Sequence, residues 1–355
     1  MKEALVAPDL SVSIRDVPTP QPGPDELLIK VIVAGSNPKD WKHPHFFSQT
    51  VNTGDDVAGY VSAVGANVAG FREGDRVAGY HVIFAPGGTF AEYAIVPAAT
   101  AFLIPPKISF EEAATVPLTA YTAVVGLFRV LELPSPWDAQ STTNTKRPLV
   151  IYGASSAVGA FAIKLAHTTN VHPVIAIGSG NSNFVMPFLD ETKGDKMLDY
   201  TSYKSGEELS AAILRALAGE RCFHALDAIT LPETFVPVSK TIAGAPHSQS
   251  GMKPRLAVLL PNGDYTAADE SIDVQAVNVA VVHGESELDK LLGLVWSHAF
   301  RRGLEQGWLV GHPYEVIPGG LDGLADGLTQ MKDGKVRGKK LLFRVTETNG
   351  MSSLQ

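Results

Sequence analysis

The sequence predicts an α/β protein with a β-rich module beside a doubly wound parallel sheet, and three patterns support this. Residues 1–110 contain short alternating apolar runs with a turn about every eight to twelve residues, which is typical of a small β-barrel or sandwich. Residues 111–300 alternate strand-like and helix-like segments, as a parallel sheet with crossover helices requires. The tail holds a helix and a final strand that we expect to return to the β-rich module. We therefore place the domain boundaries at 1–120, 121–300 and 301–355.

Single elements follow from the same patterns. Residues 1–6 predict a strand rather than a signal peptide, because the apolar run is short and polar residues come early. Alternation predicts further strands at 26–33 and 59–64. The returning tail is predicted as a helix at 321–331 and a strand at 340–345.

Composition restricts the classes of function. The chain has 355 residues, 45% of them hydrophobic and 19% charged, which suits a globular enzyme with two cores. A net charge of −8 without any basic run argues against a nucleic-acid partner. No apolar segment reaches the roughly 18 residues of a membrane span. A single cysteine, Cys222, excludes an internal disulfide and a multi-thiolate zinc site, so we expect a cytoplasmic protein.

A nucleotide-binding turn is predicted between an apolar strand at 149–152 and a helix that begins near residue 160. Small residues fill the turn, so the backbone can approach a pyrophosphate, and the helix start offers free N–H groups. The predicted contacts are Ser156, Ala157, Val158 and Gly159. The usual G-x-G-x-x-G pattern has a glycine where this chain has Ser155 or Ser156. The alternative interpretation is therefore a close-packed turn that binds no ligand.

The next predicted strand, at 171–177, bears on the choice between NAD and NADP. An NAD site places an acidic residue at the end of this strand, and the first acid here is Asp190. Neutral donors follow the strand instead. We predict that Ser179, Asn183 and Tyr200 surround a 2′-phosphate and that the cofactor is NADPH, with charge supplied by one of Lys193, Lys196 and Lys204. A polar loop without a ligand role is the alternative.

Several segments together resemble the medium-chain dehydrogenase/reductases: 54–65, 68–77, 88–93 and 113–123. The resemblance implies a GroES-like catalytic domain built from both chain ends and a Rossmann domain between them. Zinc alcohol dehydrogenases carry a cysteine where this chain has Asn37 and a His-Glu pair where it has Asp55 and Asp56. His43 and His45 form a His-x-His pair without a third ligand, so we expect no metal.

Within the zinc-free branch, which includes quinone oxidoreductases, the chain is similar to fungal trans-acting enoyl reductases of polyketide synthases. The segments that carry this similarity are 37–42, 133–136, 152–156 and 281–285. It implies NADPH-dependent reduction of an α,β-unsaturated acyl thioester on a synthase carrier protein. The alternatives are a stand-alone NADPH reductase of quinones or enones and a catalytically silent NADPH-binding protein.

The resemblance also implies a site. Lys42 and Thr122 are its catalytic candidates; the alternatives are a surface lysine and a helix-interior threonine that bonds back to the preceding turn. Tyr121 is a nearby phenol that could donate a proton, with burial for packing as the alternative. The further cofactor contacts are Lys39, Asp40, Trp41, Leu260, Pro261, Val336 and Arg337, with Asp40 in a structural role.

The substrate channel is assigned to two stretches of mostly small or aliphatic residues, which suit an acyl chain and equally suit a buried core. These residues are Ala123, Val124, Val125, Gly126, Leu127, Phe128, Arg129, Val130, Val281, Val282, His283, Gly284 and Glu285. His283 is either a proton relay or a packing residue. We expect a monomer, with a dimer through a sheet edge near 257–260 and 277–282 as the alternative.

Overall fold

The computed structural model describes residues 1–139, 146–243 and 253–350. The chain divides into two compact units. The terminal unit comprises Met1–Leu118 and Ala280–Gln355, and the central unit comprises Thr119–Val279. The return to the terminal unit thus begins before the predicted boundary at 300/301, because the long helix that follows residue 286 packs on the β-rich module.

The strands are β1 (Lys2–Val6), β2 (Val12–Asp16), β3 (Glu26–Gly35), β4 (Asp56–Val64), β5 (Arg76–Tyr80), β6 (Tyr93–Pro97), β7 (Phe102–Leu103), β8 (Leu149–Tyr152), β9 (Val174–Gly178), β10 (Lys196–Asp199), β11 (His224–Asp227), β12 (Arg255–Val258), β13 (Asp273–Ala276), β14 (Tyr314–Ile317) and β15 (Lys340–Arg344). The helices are α1 (Pro38–Phe47), α2 (Phe110–Ala114), α3 (Pro117–Val124), α4 (Ala157–His167), α5 (Gly206–Leu217), α6 (Pro232–Ala243), α7 (Glu287–Gln306) and α8 (Leu324–Lys332).

The terminal unit is built on a seven-stranded sheet in the order β14-β15-β3-β4-β5-β7, with β6 also paired to β3. β15 runs antiparallel to β3, with Leu342 opposite Gly35, so the chain end does return to the N-terminal module as predicted. Its core joins both chain ends, because Leu27 and Ile29 of β3 pack in one cluster with Leu341 and Phe343 of β15. The predicted tail helix is a 3₁₀ turn at Gly320–Gly323 followed by α8.

The central unit holds a six-stranded parallel sheet in the order β10-β9-β8-β11-β12-β13. The strand order reverses between β8 and β11, which creates the crevice at the carboxyl ends of the strands where doubly wound sheets bind ligands. The predicted fold class is therefore confirmed. β9, predicted to begin at residue 171, begins at Val174 instead, since Pro173 has no N–H to donate to a neighbouring strand.

The predicted dimer edge was wrong in its location. Residues 257 and 258 lie on β12, which is an interior strand because it pairs with both β11 and β13. The outer strand on this side is β13, and Val279–His283 forms a 3₁₀ turn. Within the three described stretches, no helix combines the length and apolar character that a membrane crossing needs.

Candidate active site

The predicted nucleotide turn follows β8 at the centre of the parallel sheet. Gly153 adopts φ +84°, a conformation that favours glycine. Ser156 caps α4, and its Oγ accepts a hydrogen bond from the N–H of Gly159 at 3.1 Å. A Cβ on Gly159 would overlap the carbonyl oxygen of Gly153, so the helix start lies directly against the turn. The N–H groups of Ala157 and Val158, in the first turn of α4, have no acceptor within the helix, and this end attracts an anion.

The adenosine end of the predicted site follows β9 and β10. Ser179 comes directly after β9, and its N–H donates to Ser182 Oγ at 3.1 Å. Asn183 is exposed in the same 3₁₀ segment. Tyr200, which follows β10, is exposed and stacks on Tyr152 of β8 with 6.0 Å between ring centroids. Because parallel strands end at one edge of the sheet, the structure brings these predicted residues to the same edge as the turn.

Two of the three lysines considered for the 2′-phosphate lie at the opposite edge. Lys193 donates to Asn170 Oδ1 at 3.2 Å, and Asn170 precedes β9. Lys196 is the first residue of β10, at its amino end. The buried carboxylate of Asp195 also lies at this opposite edge, and it accepts a hydrogen bond from the N–H of Val174 at 2.7 Å. Lys204, which follows β10, is the one of the three that lies after the carboxyl end of its strand.

The loop after β12 forms the third part of this edge. Leu260 and Pro261, predicted to meet the nicotinamide, directly follow Leu259, whose N–H donates to Thr230 Oγ1 at 2.9 Å. Tyr265 donates from its hydroxyl to the carbonyl oxygen of Leu260. Sequence reasoning missed Thr230 and Tyr265; the signal that could have found Thr230 is its place just after a buried strand ending in an acid.

The start of α1 in the terminal unit contains a buried cluster of charges. Lys39 Nζ lies 2.7 Å from Asp55 Oδ2 and 3.0 Å from Asp40 Oδ1, and it also donates to the carbonyl oxygen of Thr53. Both aspartates are buried, which raises the pKa of Asp40 to about 7 and that of Asp55 to about 6. Burial alone would lower the pKa of Lys39, but the two carboxylates outweigh it and raise this pKa. The predicted cofactor contact Lys39 thus directs its ammonium into the protein.

A second buried ion pair lies beside the first. Lys340 Nζ is 2.5 Å from Asp56 Oδ2, which also accepts from Asn37 Nδ2 at 2.7 Å. The other oxygen of Asp56 accepts from the N–H of Leu118 at 2.7 Å. At the positions where zinc alcohol dehydrogenases carry ligands, this chain therefore uses its carboxylates to hold two lysines. Over the described residues, no group of three or more His, Cys, Asp and Glu side chains is placed to hold a metal ion.

The other predicted cofactor residues of the terminal unit differ in exposure. Trp41 and Val336 are partly buried and pack against the same apolar core. Lys42 Nζ lies 5.8 Å from the centre of the Trp41 ring, and partial burial lowers its pKa. Lys42 makes no hydrogen bond or ion pair with any residue that the structure describes. Arg337 is exposed, and its Nε donates to the carbonyl oxygen of Gly334 at 3.5 Å.

Most of the predicted substrate stretch in the central unit is core. The residues in this stretch with buried side chains or backbone are Ala123, Val124, Val125, Gly126, Leu127 and Val130. The structure favours the packing alternative for these six. The other two members of the stretch are less buried: Phe128 is half-buried and Arg129 is exposed. The catalytic candidate Thr122 is half-buried on α3, next to the fully buried Tyr121.

The second predicted substrate stretch lies in the terminal unit. His283 stacks on Tyr80 with 4.3 Å between ring centroids, and its Nε2 is 2.7 Å from Thr100 Oγ1. Burial lowers the pKa of His283 to about 4, so the ring is neutral at pH 7. Val282 is buried. The remaining members, Val281, Gly284 and Glu285, range from half-buried to exposed.

Comparison with known proteins identifies the family. Residues 23–106 match the alcohol dehydrogenase GroES-like domain. The chain is 38% identical over 322 residues to "Trans-enoyl reductase fsr4" of Gibberella fujikuroi, covering 90% of this chain and 91% of the relative. The CurK enoyl reductase structure shares the fold with a TM-score of 0.69 and 18% identity over 96% of this chain and 98% of that one. The mycobacterial protein Rv1454c complexed with NADPH gives a TM-score of 0.66 and 19% identity over 96% and 99%. Because the 38% identity extends over nearly the whole chain, the protein belongs to the trans-enoyl reductases within the medium-chain dehydrogenase/reductase superfamily.

Proposed function

We propose that this protein is a zinc-independent, NADPH-dependent enoyl reductase that acts in trans on a polyketide synthase. Its substrate is an α,β-unsaturated acyl thioester held on the carrier protein of the synthase. One observation carries the proposal: the glycine turn after β8, the start of α4 and the polar loops after β9 and β10 all lie at the carboxyl edge of the central sheet. The proposal also rests on the relative named a trans-enoyl reductase.

The residues at this edge fit a dinucleotide. The tight approach of Gly159 to Gly153 leaves backbone N–H groups at the helix start for a pyrophosphate. Ser179, Asn183 and Tyr200 would hold the adenosine end, and Lys204 would add positive charge near a 2′-phosphate. Asp199 ends β10 but uses its carboxylate to accept from the N–H of Thr201 at 2.9 Å. The NADPH complex of Rv1454c supports the same choice of cofactor.

When bound, NADPH would supply a hydride for the β-carbon of the substrate. Negative charge then develops on the thioester oxygen, and donors aimed at that oxygen lower the barrier. We assign this role to Lys42, and Thr122 stays a catalytic candidate on the resemblance alone. Lys42 suits it because its ammonium has no carboxylate partner within the described residues and is partly desolvated, whereas Lys39 is neutralised by two aspartates. Water supplies the proton to the α-carbon, because the predicted relay His283 is neutral at pH 7 and its Nε2 lies 2.7 Å from Thr100 Oγ1.

The buried charges support catalysis without zinc. Two ammonium groups already neutralise the carboxylates of Asp55 and Asp56, and a zinc ion there would have to displace them. We further propose that the enzyme acts in the cytoplasm, as a monomer that meets the synthase through its carrier protein.

The test is NADPH consumption with three acceptors: a 2-enoyl thioester on a carrier protein, its free truncated analogue, and a small quinone. We expect the carrier-bound thioester to be preferred over both others. Turnover of the quinone, with no difference between carrier-bound and free thioesters, would contradict the proposal and indicate a stand-alone reductase. NADPH binding without turnover of any acceptor would indicate a catalytically silent protein.

A further inference from the structure

Thr230 adopts an unusual backbone conformation at the edge of the central sheet. It lies three residues after the end of β11 and has φ +63°, in the left-handed region. β-Branched residues are rarely found there, because the side chain crowds the backbone. Glycine or asparagine would occupy this position with less strain. Something other than turn geometry therefore accounts for a threonine.

Asp227, the last residue of β11, holds Thr230 in place. The fully buried Asp227 carboxylate accepts from the N–H groups of Ile229 and Thr230 at 2.9 and 3.0 Å. Its other oxygen accepts from Thr234 Oγ1 at 2.6 Å, which links the turn to α6. The hydroxyl of Thr230 donates to the carbonyl oxygen of Asp227 at 3.0 Å. The turn is thus fixed by three side chains, and the orientation of the Thr230 hydroxyl is set.

With its proton donated to Asp227, the Thr230 hydroxyl oxygen accepts the N–H of Leu259 at 2.9 Å. The next residue, Leu260, has its carbonyl oxygen bonded to the hydroxyl of Tyr265. The Tyr265 ring packs edge-on against Phe235 of α6 with 5.3 Å between centroids. Two successive residues of the loop after β12 are therefore held by side chains that α6 and the Thr230 turn support.

The surface around this loop is apolar and open. Ile229, Leu231 and Leu260 are between 42% and 47% exposed. Ile229 also packs over the nucleotide turn, since a Cβ on Gly153 would lie 2.9 Å from its Cγ1. The strained turn thus lies between the predicted pyrophosphate site and the predicted nicotinamide loop. Strained residues held by several hydrogen bonds are characteristic of ligand clamps.

We propose that Thr230 and Tyr265 are positioning residues that orient the backbone of the loop 259–261 toward the nicotinamide carboxamide. This inference rests on the proposed function, because it requires that the edge binds NADPH. A carboxamide offers both donors and an acceptor, so a fixed backbone N–H and carbonyl recognise it better than a mobile loop. The strain at Thr230 is retained because its hydroxyl is needed for that orientation.

The experiment measures calorimetric affinities of Thr230→Ser, Thr230→Val and Thr230→Gly for two ligands. One ligand is NADPH and the other is 2′-phospho-ADP-ribose, which lacks the nicotinamide. We expect Thr230→Val and Thr230→Gly to raise the Kd for NADPH about five- to tenfold, as for one lost hydrogen bond. Their affinity for 2′-phospho-ADP-ribose should stay at the wild-type value, and Thr230→Ser should bind both ligands as the wild type does.

Thr230→Gly separates positioning from stability. It relieves the strain, so its melting temperature should not fall below that of Thr230→Val, yet its NADPH affinity should be as weak. Tyr265→Phe provides a second test from the other side of the loop and should also weaken NADPH selectively.

Equal weakening of both ligands, or wild-type NADPH affinity in Thr230→Val, would overturn the inference. Failure of the wild type to bind either ligand would instead refute the proposed function.

Discussion

The carboxyl edge of the central sheet and the buried start of α1 in the terminal unit are built in opposite ways. The edge uses backbone N–H groups, hydroxyls and glycines, with its one buried acid, Asp227, fully satisfied by donors. The start of α1 uses full charges, with Lys39 and Lys340 held by three buried aspartates. A neutral edge of this kind can admit an anionic ligand, whereas in the charged cluster each of the three buried aspartates already has a lysine partner.

The largest effect should come from breaking the buried Lys340–Asp56 pair. Lys340→Met leaves the Asp56 carboxylate buried without its cation, which should cost about 3–5 kcal/mol of the free energy of unfolding. Urea unfolding measures it. Lys339→Met is the matched control, because Lys339 pairs with Glu315 on the surface and should cost less than about 1 kcal/mol. Equal losses of unfolding free energy in the two variants would contradict the claim that the buried pair contributes more to stability than the surface pair.

A smaller stability loss with a larger functional loss is expected from Gly159→Ala. The new Cβ would overlap the Gly153 carbonyl and push the helix start away from the turn, at a cost of about 1–3 kcal/mol. NADPH binding should be abolished in calorimetry. Gly206→Ala is the control, since a Cβ at Gly206 would make only an ordinary contact of 3.5 Å with Pro237. Retained NADPH affinity in Gly159→Ala would place the pyrophosphate elsewhere.

The charged cluster should also give the protein a distinctive pH dependence. Burial raises the pKa of Asp55 from 3.8 to about 6, so the folded state holds a proton that the unfolded chain has lost. The contribution of Asp55 to the free energy of unfolding therefore decreases as the pH rises from about 4 to 6, by at most about 1.4 kcal/mol per pH unit. Asp55→Asn removes this contribution, so its urea stability should fall less steeply across that range. Parallel profiles for the variant and the wild type would contradict the assignment.

The smallest effect should come from the cap of α4. Ser156→Ala removes the acceptor of the Gly159 N–H and should cost about 1 kcal/mol of stability, together with a several-fold rise in the Kd for NADPH. Ser109→Ala removes an equivalent cap of α2, where Ser109 Oγ accepts from the N–H of Glu112 at 3.0 Å. It should lower stability to a similar extent and leave the Kd unchanged. If both variants bind NADPH equally well, the cap has no part in the site.

The two regions also differ in how far the sequence predicts them. The strand, glycine turn and helix start around Gly153 are local, so their pattern along the chain identified the turn. The absence of an acidic residue directly after β9 could also be recognised from the sequence alone. Lys340 and Asp56 are 284 residues apart, and no local pattern indicates that they pair. Lys193, one of the three lysines offered for the 2′-phosphate, precedes β10 and donates to Asn170 Oδ1 at the opposite edge, which its place in the sequence did not reveal.

The burial of apolar stretches and the backbone strain at Thr230 could not be predicted from the sequence either. An apolar stretch such as 123–127 fits a substrate channel and a core equally well, and only tertiary packing shows that it is buried. The left-handed conformation of Thr230 depends on Asp227 and Leu259, which are brought together by two neighbouring strands. Site residues that act through packing or strain therefore emerge only from the structure.

The most direct test of the account is reduction of a carrier-bound 2-enoyl thioester by NADPH with protein whose metal content has been measured after chelation. We predict full activity without bound metal, since the cofactor site proposed at the edge of the central sheet uses no metal, and Lys39 and Lys340 pair with Asp55 and Asp56. Loss of activity on chelation with recovery on adding zinc would contradict it.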